Sequence, residues 1–196
     1  MPNPLILASA SSARRRVLEG ARVPFIQESS GVDETALKSE LGACAPDMLA
    51  RRLALAKSKA VSARRPGAFV LGADQVLECE GRLFAKPRDK AEARAQLVLL
   101  RGRAHRLVNG LALVRAGRVL WRHDDEARLW MREFGDGFLD GYLAEAGPEV
   151  LESVGAYRLE GAGAQLFARI EGDFFSILGL PLLPLLDALR REGILA

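Results

Sequence analysis

The sequence predicts an α/β fold in which a mixed central sheet is flanked by helices. Short apolar stretches suited to buried strands alternate with longer amphipathic stretches of helical periodicity. This alternation favours parallel strands joined by helices. Two long strand-like stretches around Ala116-Gly117 instead predict a hairpin, which adds antiparallel pairing to the sheet. The 196 residues suffice for one hydrophobic core and contain no linker-like stretch, so we expect a single domain over residues 1–196.

The first half of the chain predicts three strands separated by two helices. Apolar stretches place the strands at residues 4–8, 24–27 and 68–73. Residues 12–20 have serine at their start and glycine at their end, which is typical of a helix. Residues 46–63 predict a longer helix, because a proline lies in the first turn and apolar residues recur every three or four positions.

The second half begins with a tight turn at Glu80-Gly81 between short strands. Residues 89–101 predict a helix that Asp89 caps and Gly102 ends. The remaining predicted elements are hairpin strands at 107–114 and 119–131, a helix around 138–143, a strand at 165–170 and a closing helix at 182–191.

Composition and charge argue against several protein classes. The 28 basic and 25 acidic side chains leave a net charge of +3, which is too balanced for a dedicated nucleic-acid-binding protein. Cys44 and Cys79 lack metal-ligand spacing, and GxSxG and HExxH patterns do not occur. The longest apolar run, residues 177–186, contains two prolines and is too short to cross a bilayer. The N-terminus is unlike a secretory signal, so we expect a soluble, cytoplasmic protein that binds neither nucleic acid nor membrane.

The serine-rich segment at residues 9–16 is the first candidate binding segment. It lies where a predicted strand gives way to a helix, and its small hydroxyl residues let the backbone approach an anion closely. The free N–H groups and positive dipole of a helix start favour phosphate. Arg14 lies one turn before Leu18 and therefore points near the buried face. Ordinary capping of the helix beside solvated arginines is the alternative interpretation.

Two acidic segments are candidates for metal binding and catalysis. Asp74 follows the apolar residues 68–73 and is expected at the C-terminal end of a strand, where ligands bind in open α/β sheets. Asp33 and Glu34 lie in a polar loop, and with Asp74 they could supply oxygen ligands to Mg²⁺. Alternatively, Asp74 caps a turn and the acidic loop reflects turn chemistry alone.

Helical geometry separates two lysines of the predicted helix at 46–63. Lys57 falls at the edge of the buried stripe, whereas Lys59 falls on the opposite, solvated side. A lysine at the margin of an apolar face either extends its ammonium group to water or reaches a polyphosphate. Lys86 is held in place by the following Pro87, and it is either a phosphate contact or an ordinary surface lysine.

Taken together, these segments resemble the Maf family of nucleoside triphosphate pyrophosphatases. The resemblance covers nearly the whole chain, and its motifs occur in the family's order. The matching residues are Leu7-Ala8-Ser9-Ala10-Ser11 with Arg14-Arg15, Val32-Asp33-Glu34-Thr35, Lys57, Gly72-Ala73-Asp74-Gln75-Val76, Lys86-Pro87, residues 155–161 and Gly179-Leu180-Pro181-Leu182.

The resemblance implies a Maf/ITPase-like fold with an active-site cleft between two lobes, and a homodimer. It also implies hydrolysis of a nucleoside triphosphate to the monophosphate and pyrophosphate with a divalent metal, Mg²⁺ or Mn²⁺. By this resemblance, Glu34 and Asp74 bind the metal and activate water, with Asp74 as the expected general base. The implied phosphate contacts are Ser9, Ser11, Arg14, Arg15, Lys57 and Lys86.

Gln75 and Glu160 are the residues that the resemblance implies for base recognition. Gln after Asp74 and Glu at position 160 resemble the branch acting on 7-methyl-GTP more than the branch acting on dTTP and UTP. A glutamate carboxylate accepts two hydrogen bonds and suits the N1–H and N2–H₂ donors of guanine, whereas glutamine suits thymine or uracil. We therefore expect 7-methyl-GTP or another non-standard nucleotide as substrate. The alternative function is a non-catalytic, nucleotide-sensing regulator of cell division.

Overall fold

A mixed sheet organises the structure. The computed structural model describes residues 4–196, and in that range it contains seven strands and seven α-helices. The strands are β1 (Leu5–Leu7), β2 (Phe25–Gln27), β3 (Phe69–Cys79), β4 (Arg82–Phe84), β5 (Ala104–Arg115), β6 (Arg118–Met131) and β7 (Phe167–Glu171). The helices are α1 (Ser12–Gly20), α2 (Glu34–Leu41), α3 (Pro46–Arg64), α4 (Lys90–Leu100), α5 (Asp136–Ala146), α6 (Phe174–Ile177) and α7 (Leu182–Arg191), with 3₁₀ turns at Gly147–Glu152, Val154–Ala156 and Ala162–Leu166.

The strand order is β2-β1-β3-β5-β6-β7, and β4 pairs with β3 away from this path. Strand β1 runs parallel to both β2 and β3, whereas β4 is antiparallel to β3 and β7 is antiparallel to β6. The prediction of a mixed sheet flanked by helices is therefore confirmed. No helix within residues 4–196 combines the length and the apolarity needed to cross a bilayer.

The described residues form two compact units. The first unit contains the chain up to Gln75 together with Val108–Asp125 and Asp173–Ala196, and the second contains Val76–Leu107 and Glu126–Gly172. The single-domain expectation for residues 1–196 stays a prediction.

The core of the first unit lies on both faces of its strands. Odd-numbered residues of β1 and β3, such as Leu7 and Leu71, pack with Leu18 of α1 and Leu185 of α7. Even-numbered residues face the other way, and Ile6 and Val70 pack with Val61 of α3. The alternation follows from strand geometry, in which successive side chains point to opposite faces. Because both faces of these strands are buried, their sequences are continuous runs of apolar residues.

Two glycines bring helix α3 unusually close to the sheet. A Cβ atom added to Gly72 of β3 would lie 2.0 Å from the carbonyl oxygen of Ala54, and one added to Gly110 of β5 would lie 2.5 Å from the carbonyl carbon of Ala50. The obstructing atoms belong to helix backbone, which cannot rotate away as a side chain can. The α3 backbone therefore rests directly on β3 and β5, and the position of every α3 side chain depends on that contact.

The second unit has its own core, which includes a buried histidine. His105 is 1% exposed, and its Nε2 atom lies 2.7 Å from the hydroxyl oxygen of Tyr157. Both rings also pack against Phe167. Burial lowers the pKa of His105 to about 4 and raises the pKa of Tyr157 well above its ordinary value, so both groups are neutral near pH 7. Its burial and its contacts with Tyr157 and Phe167 give His105 a structural role in this core.

Several local predictions are wrong, and three of them concern Glu34, the end of β3 and the start of β7. The polar loop predicted around Glu34 is instead helix α2, which begins at Glu34 after the N-cap Asp33. Strand β3 does not end at residue 73 but continues to Cys79, because Val76, Leu77 and Cys79 remain buried beyond the polar pair Asp74-Gln75. Strand β7 starts two residues later than predicted, because a 3₁₀ turn occupies Ala162–Leu166.

We expect Gly72→Ala to lower the free energy of unfolding by about 1–3 kcal/mol, because the added methyl group forces α3 away from β3. Urea denaturation measures the change. Gly20→Ala is the matched control, since nothing lies within 4 Å of a Cβ added to Gly20, and it should change stability by less than about 1 kcal/mol. Equal stability of the two variants would contradict the close approach.

Candidate active site

The start of helix α1 holds a buried arginine. Ser11 caps the helix by accepting a hydrogen bond from the backbone N–H of Arg14, at 3.4 Å. The Arg14 guanidinium donates through Nη1 to the hydroxyl of Ser9, at 3.0 Å, and through Nε to the carbonyl of Gly179, at 2.8 Å. Arg14 is only 8% exposed. The alternative of a solvated arginine is therefore wrong for Arg14, although Ser11 does act as an ordinary cap.

The backbone conformation of Gly179 orients the carbonyl group that accepts the hydrogen bond from Arg14. Its φ angle is +85°, a conformation that side-chain-bearing residues rarely adopt, and a Cβ atom there would lie 3.4 Å from Nε of Arg14. A glycine at this position therefore permits the turn, and the 3.4 Å distance is an ordinary van der Waals contact with the guanidinium. The glycine of the segment 179–182 thus has a local structural explanation.

Glu34 and Asp74 converge on one ammonium group. The Nζ atom of Lys57 lies 2.5 Å from Oδ1 of Asp74 and 2.7 Å from Oε1 of Glu34. Lys57 and Asp74 are each 7% exposed, whereas the side chain of Glu34 is 42% exposed. The two acids, distant in sequence, therefore bind a single positive charge from a buried side and a solvent-facing side.

The position of Asp74 depends on the neighbouring strand rather than on the end of its own. Parallel pairing between β1 and β3 stops at Leu7 and Leu71, and the N–H of Ala8 donates to the carbonyl of Leu71 at 2.8 Å. Asp74 lies three residues further along β3. It therefore lies beyond the carboxyl end of β1, the edge at which open α/β sheets commonly bind ligands.

The charges of the cluster affect one another's protonation. Burial lowers the pKa of the Arg14 guanidinium from its ordinary value, and the negative charges of Asp74 and Glu34 oppose this effect. Burial alone would raise the pKa of Glu34, but the hydrogen bond and charge of Lys57, with smaller effects of Lys38 and Arg14, outweigh it and lower the pKa. Glu34 is therefore ionised well below neutral pH.

Gln75 faces protein groups within the first unit. Its Nε2 atom lies 3.0 Å from the carbonyl oxygen of Ser176, 3.1 Å from that of Ile177 and 3.2 Å from Oδ1 of Asn109. The amide nitrogen is thus engaged by the segment around α6. Its predicted role in base recognition stays a prediction.

The other predicted site residues lie apart from this cluster or in the second unit. Arg15 is exposed and pairs with Glu19 at 3.9 Å along α1. Lys86 is exposed just before the buried Pro87. Glu160 accepts a hydrogen bond from Nε of Arg158 at 3.2 Å. The roles predicted for Arg15, Lys86 and Glu160 stay predictions.

Sequence reasoning missed several polar groups that hold the cluster together. Gln27 donates to the carbonyl of Ser9 at 2.7 Å, and Asn109 donates to the carbonyl of Ser176 at 2.8 Å. One of them left a detectable signal, because Asn109 is a single strongly polar residue within the apolar run 107–114. A buried side-chain amide in a strand needs hydrogen-bond partners, so its position alone indicates a polar neighbour.

Glu34 and Asp74 could bind a divalent cation whose remaining ligands come from the substrate. Two carboxylates that already bind one positive charge between them are the oxygen ligands Mg²⁺ prefers, and Mg²⁺ commonly takes its remaining ligands from water and substrate phosphates. Among residues 4–196, no cluster of three or more His, Cys, Asp or Glu side chains is placed to hold a metal alone. A metal here would therefore depend on Glu34, Asp74 and phosphate oxygens together.

We expect Lys57→Met to raise the pKa of Glu34, because the substitution removes the hydrogen bond and charge that lower it. A ¹³C NMR titration of the carboxyl groups measures the shift, with the Glu34 signal assigned by Glu34→Gln. Because the pKa of Glu34 is depressed in the folded state, its stabilising effect is present above the ordinary value of 4.5 and is lost as pH falls through the folded-state pKa. The contribution of the Lys57–Glu34 pair to the free energy of unfolding should therefore decrease over that acidic pH range.

Lys38→Met is the matched control for this titration. Lys38 lies 3.9 Å from Glu34 and acts on its pKa through charge alone, so its removal should raise the pKa less than removal of Lys57. Equal shifts in the two variants would mean that the Lys57 contact does not form in solution.

Known proteins resemble this chain over nearly its full length. The family model for Maf-like proteins matches residues 4–192. The nucleoside triphosphate pyrophosphatase of Paramagnetospirillum magneticum is 52% identical over 190 residues, covering 96% of this chain and 98% of that protein. The nucleoside triphosphate pyrophosphatase of Nitrobacter hamburgensis is 48% identical, with coverages of 100% and 96%. The 7-methyl-GTP pyrophosphatase of Rhizobium meliloti is also 48% identical, with 96% of each chain covered.

Proposed function

The chain belongs to the family of Maf-like proteins, and we propose that it is a nucleoside triphosphate pyrophosphatase. In the proposed reaction, water attacks the α-phosphorus, the bond from that phosphorus to the bridging oxygen breaks, and pyrophosphate leaves with the bridging oxygen. The observation that carries the proposal is the convergence of Glu34 and Asp74 on one cation, Lys57. The pyrophosphatase activities named for the relatives support the reaction type.

Asp74 is the group proposed to accept the proton of the attacking water. It is 7% exposed and fixed within β3, so its carboxylate keeps a defined position. A positioned carboxylate commonly contributes about 10²–10⁴-fold as a general base. Glu34 and Asp74 would also hold a divalent metal. When bound, that metal supplies charge neutralisation for the phosphate groups.

Buried cations are proposed to neutralise the leaving pyrophosphate. Arg14 presents a guanidinium fixed through two of its nitrogens, and Lys57 presents an ammonium that now pairs with both acids. A divalent cation and the Lys57 ammonium compete for the same two carboxylates. Lys57 is therefore proposed to transfer its hydrogen bonds to triphosphate oxygens when the metal–substrate complex binds.

We expect Asp74→Asn to abolish pyrophosphate release, because the amide neither accepts the proton nor carries the charge. The assay follows products by ³¹P NMR in ¹⁸O-labelled water, with Mg²⁺ and with a chelator. The wild-type protein should release pyrophosphate only when the metal is present. The ¹⁸O label should appear in the nucleoside monophosphate product.

Asp187→Asn is the control for that variant. Asp187 pairs with Arg191 on the surface of α7, so the same chemical change there should leave turnover intact. Release of orthophosphate, or label in the pyrophosphate, would refute attack at the α-phosphorus. Tight triphosphate binding without turnover would instead favour a nucleotide-sensing regulator.

The preferred base is proposed to be guanine-like, as in 7-methyl-GTP. Glu160 supports this proposal because a carboxylate accepts the two donors of a guanine edge, and one relative is named a 7-methyl-GTP pyrophosphatase. Gln75 is a second proposed contact through the part of its amide that does not donate to the α6 segment. The expected homodimer, cytoplasmic location and absence of nucleic-acid binding stay predictions.

We expect Glu160→Gln to shift preference from 7-methyl-GTP and GTP towards UTP and dTTP, because glutamine both donates and accepts on the pyrimidine edge. Pyrophosphate release over UTP, dTTP, CTP, GTP and 7-methyl-GTP gives kcat/KM for each substrate. Glu152→Gln, the same change on a 3₁₀ turn of the same unit, provides the comparison. An unchanged profile in Glu160→Gln would remove Glu160 from base recognition.

A further inference from the structure

We infer that Asn109 is a positioning residue for triphosphate binding, which acts through the carbonyl of Ser176 on the guanidinium of Arg14. The inference rests on the proposed function only for the nature of the anion. Asn109 has no place in the acid–lysine cluster, and its effect is expected on phosphate binding rather than on the attacking water.

Asn109 and Ser176 form the centre of a buried polar network. Both are 0% exposed. Nδ2 of Asn109 donates to the carbonyl of Ser176 at 2.8 Å, and Oδ1 accepts from Nε2 of Gln75 at 3.2 Å. Both polar atoms of the Asn109 side chain therefore have partners, and truncation would leave buried groups without them.

The Ser176 carbonyl fixes the turn that leads to Arg14. Besides Asn109, it accepts from Nε2 of Gln75 at 3.0 Å and from the N–H of Gly179 at 3.0 Å. The turn from residue 176 to 179 thus starts at a carbonyl held by side chains from β3 and β5. It ends at the Gly179 carbonyl, which accepts from Nε of Arg14 at 2.8 Å.

Two aspartates hold the other side of Ser176. The Ser176 hydroxyl donates to Oδ2 of Asp125, and the Ser176 N–H donates to Oδ1 of Asp173 at 3.1 Å. Ser176 is therefore fixed through its hydroxyl, amide and carbonyl at once. Because Ser176 is held in this way, a change at Asn109 shifts the backbone turn that follows Ser176.

The consequence is a guanidinium with a defined orientation before any anion arrives. Nε of Arg14 donates to the carbonyl of Gly179 and Nη1 donates to the hydroxyl of Ser9. These two hydrogen bonds fix the plane of the guanidinium group. Without Asn109, the 176–179 turn loses one of its buried hydrogen bonds, and the Gly179 carbonyl holds Nε of Arg14 less tightly. Ordering the guanidinium then opposes anion binding.

The test measures binding of inorganic triphosphate by calorimetry, in buffer with Mg²⁺, to folded wild-type and variant proteins. We expect Asn109→Ala to weaken binding about tenfold, which corresponds to the net free energy of one buried hydrogen bond that positions Arg14. Ser62→Ala is the matched control. It also deletes a hydrogen bond of a buried side chain in the first unit, where Ser62 accepts from the N–H of Gly117 at 3.1 Å, and it should change binding less than about twofold.

A double-mutant cycle separates positioning from general destabilisation. If Asn109 acts through Arg14, Asn109→Ala should have no further effect on binding in an Arg14→Met background. A full effect in that background, or equal losses in Asn109→Ala and Ser62→Ala, would overturn the inference. Should Asn109→Ala fail to fold, the isosteric Asp125→Asn weakens the same turn from its partly exposed side, and it should show the same dependence on Arg14.

The inference and the proposed function fail separately. A wild-type protein that binds triphosphate in an Asn109-dependent way but releases no pyrophosphate would refute only the proposed function. Pyrophosphate release by a wild-type protein whose Asn109→Ala variant binds triphosphate normally would refute only the positioning role.

Discussion

The direct contact between the α3 backbone and the sheet is the constraint on which the candidate site depends. Gly72 and Gly110 leave no side chain between the helix and strands β3 and β5. Lys57 extends from that helix, and Asp74 follows Gly72 by two residues on the strand beneath it. The distance between their charged atoms is therefore set by backbone packing and not by the reach of a flexible surface lysine.

Burying charged side chains beside the sheet costs free energy, and pairing between the charges offsets that cost. Arg14, Lys57 and Asp74 are all nearly buried, and an unpaired charge there would be strongly unfavourable. Two acids and two cations share the region, and neutral carbonyl and hydroxyl groups complete the hydrogen bonding of Arg14. The cluster is thus stable without a ligand, yet it holds the kinds of group that bind metal and phosphate.

Much of the fold could be predicted from the sequence, because apolar periodicity determines which faces are buried. Helical geometry alone predicted Lys57 at the edge of the buried stripe and Lys59 in solvent, and the structure buries Lys57 and exposes Lys59. The end of β3 could not be found in this way, because Asp74 and Gln75 interrupt the apolar run while the backbone pairing continues. The contacts of Asn109 with Ser176 and Gln75 depend on residues far apart in sequence, so local patterns could indicate a buried amide but not its partners.

Helix α2 carries Glu34 but contributes no buried residue. The two acids therefore belong to regions with different mechanical properties: Asp74 moves only with the sheet, while Glu34 is attached to an element whose rearrangement leaves the hydrophobic core intact. Sequence changes on the exposed face of α2 would accordingly move Glu34 relative to Asp74 at little cost to the free energy of folding. If the proposed site is correct, related proteins can differ in the placement of one of its two acids without any change in the hydrophobic core.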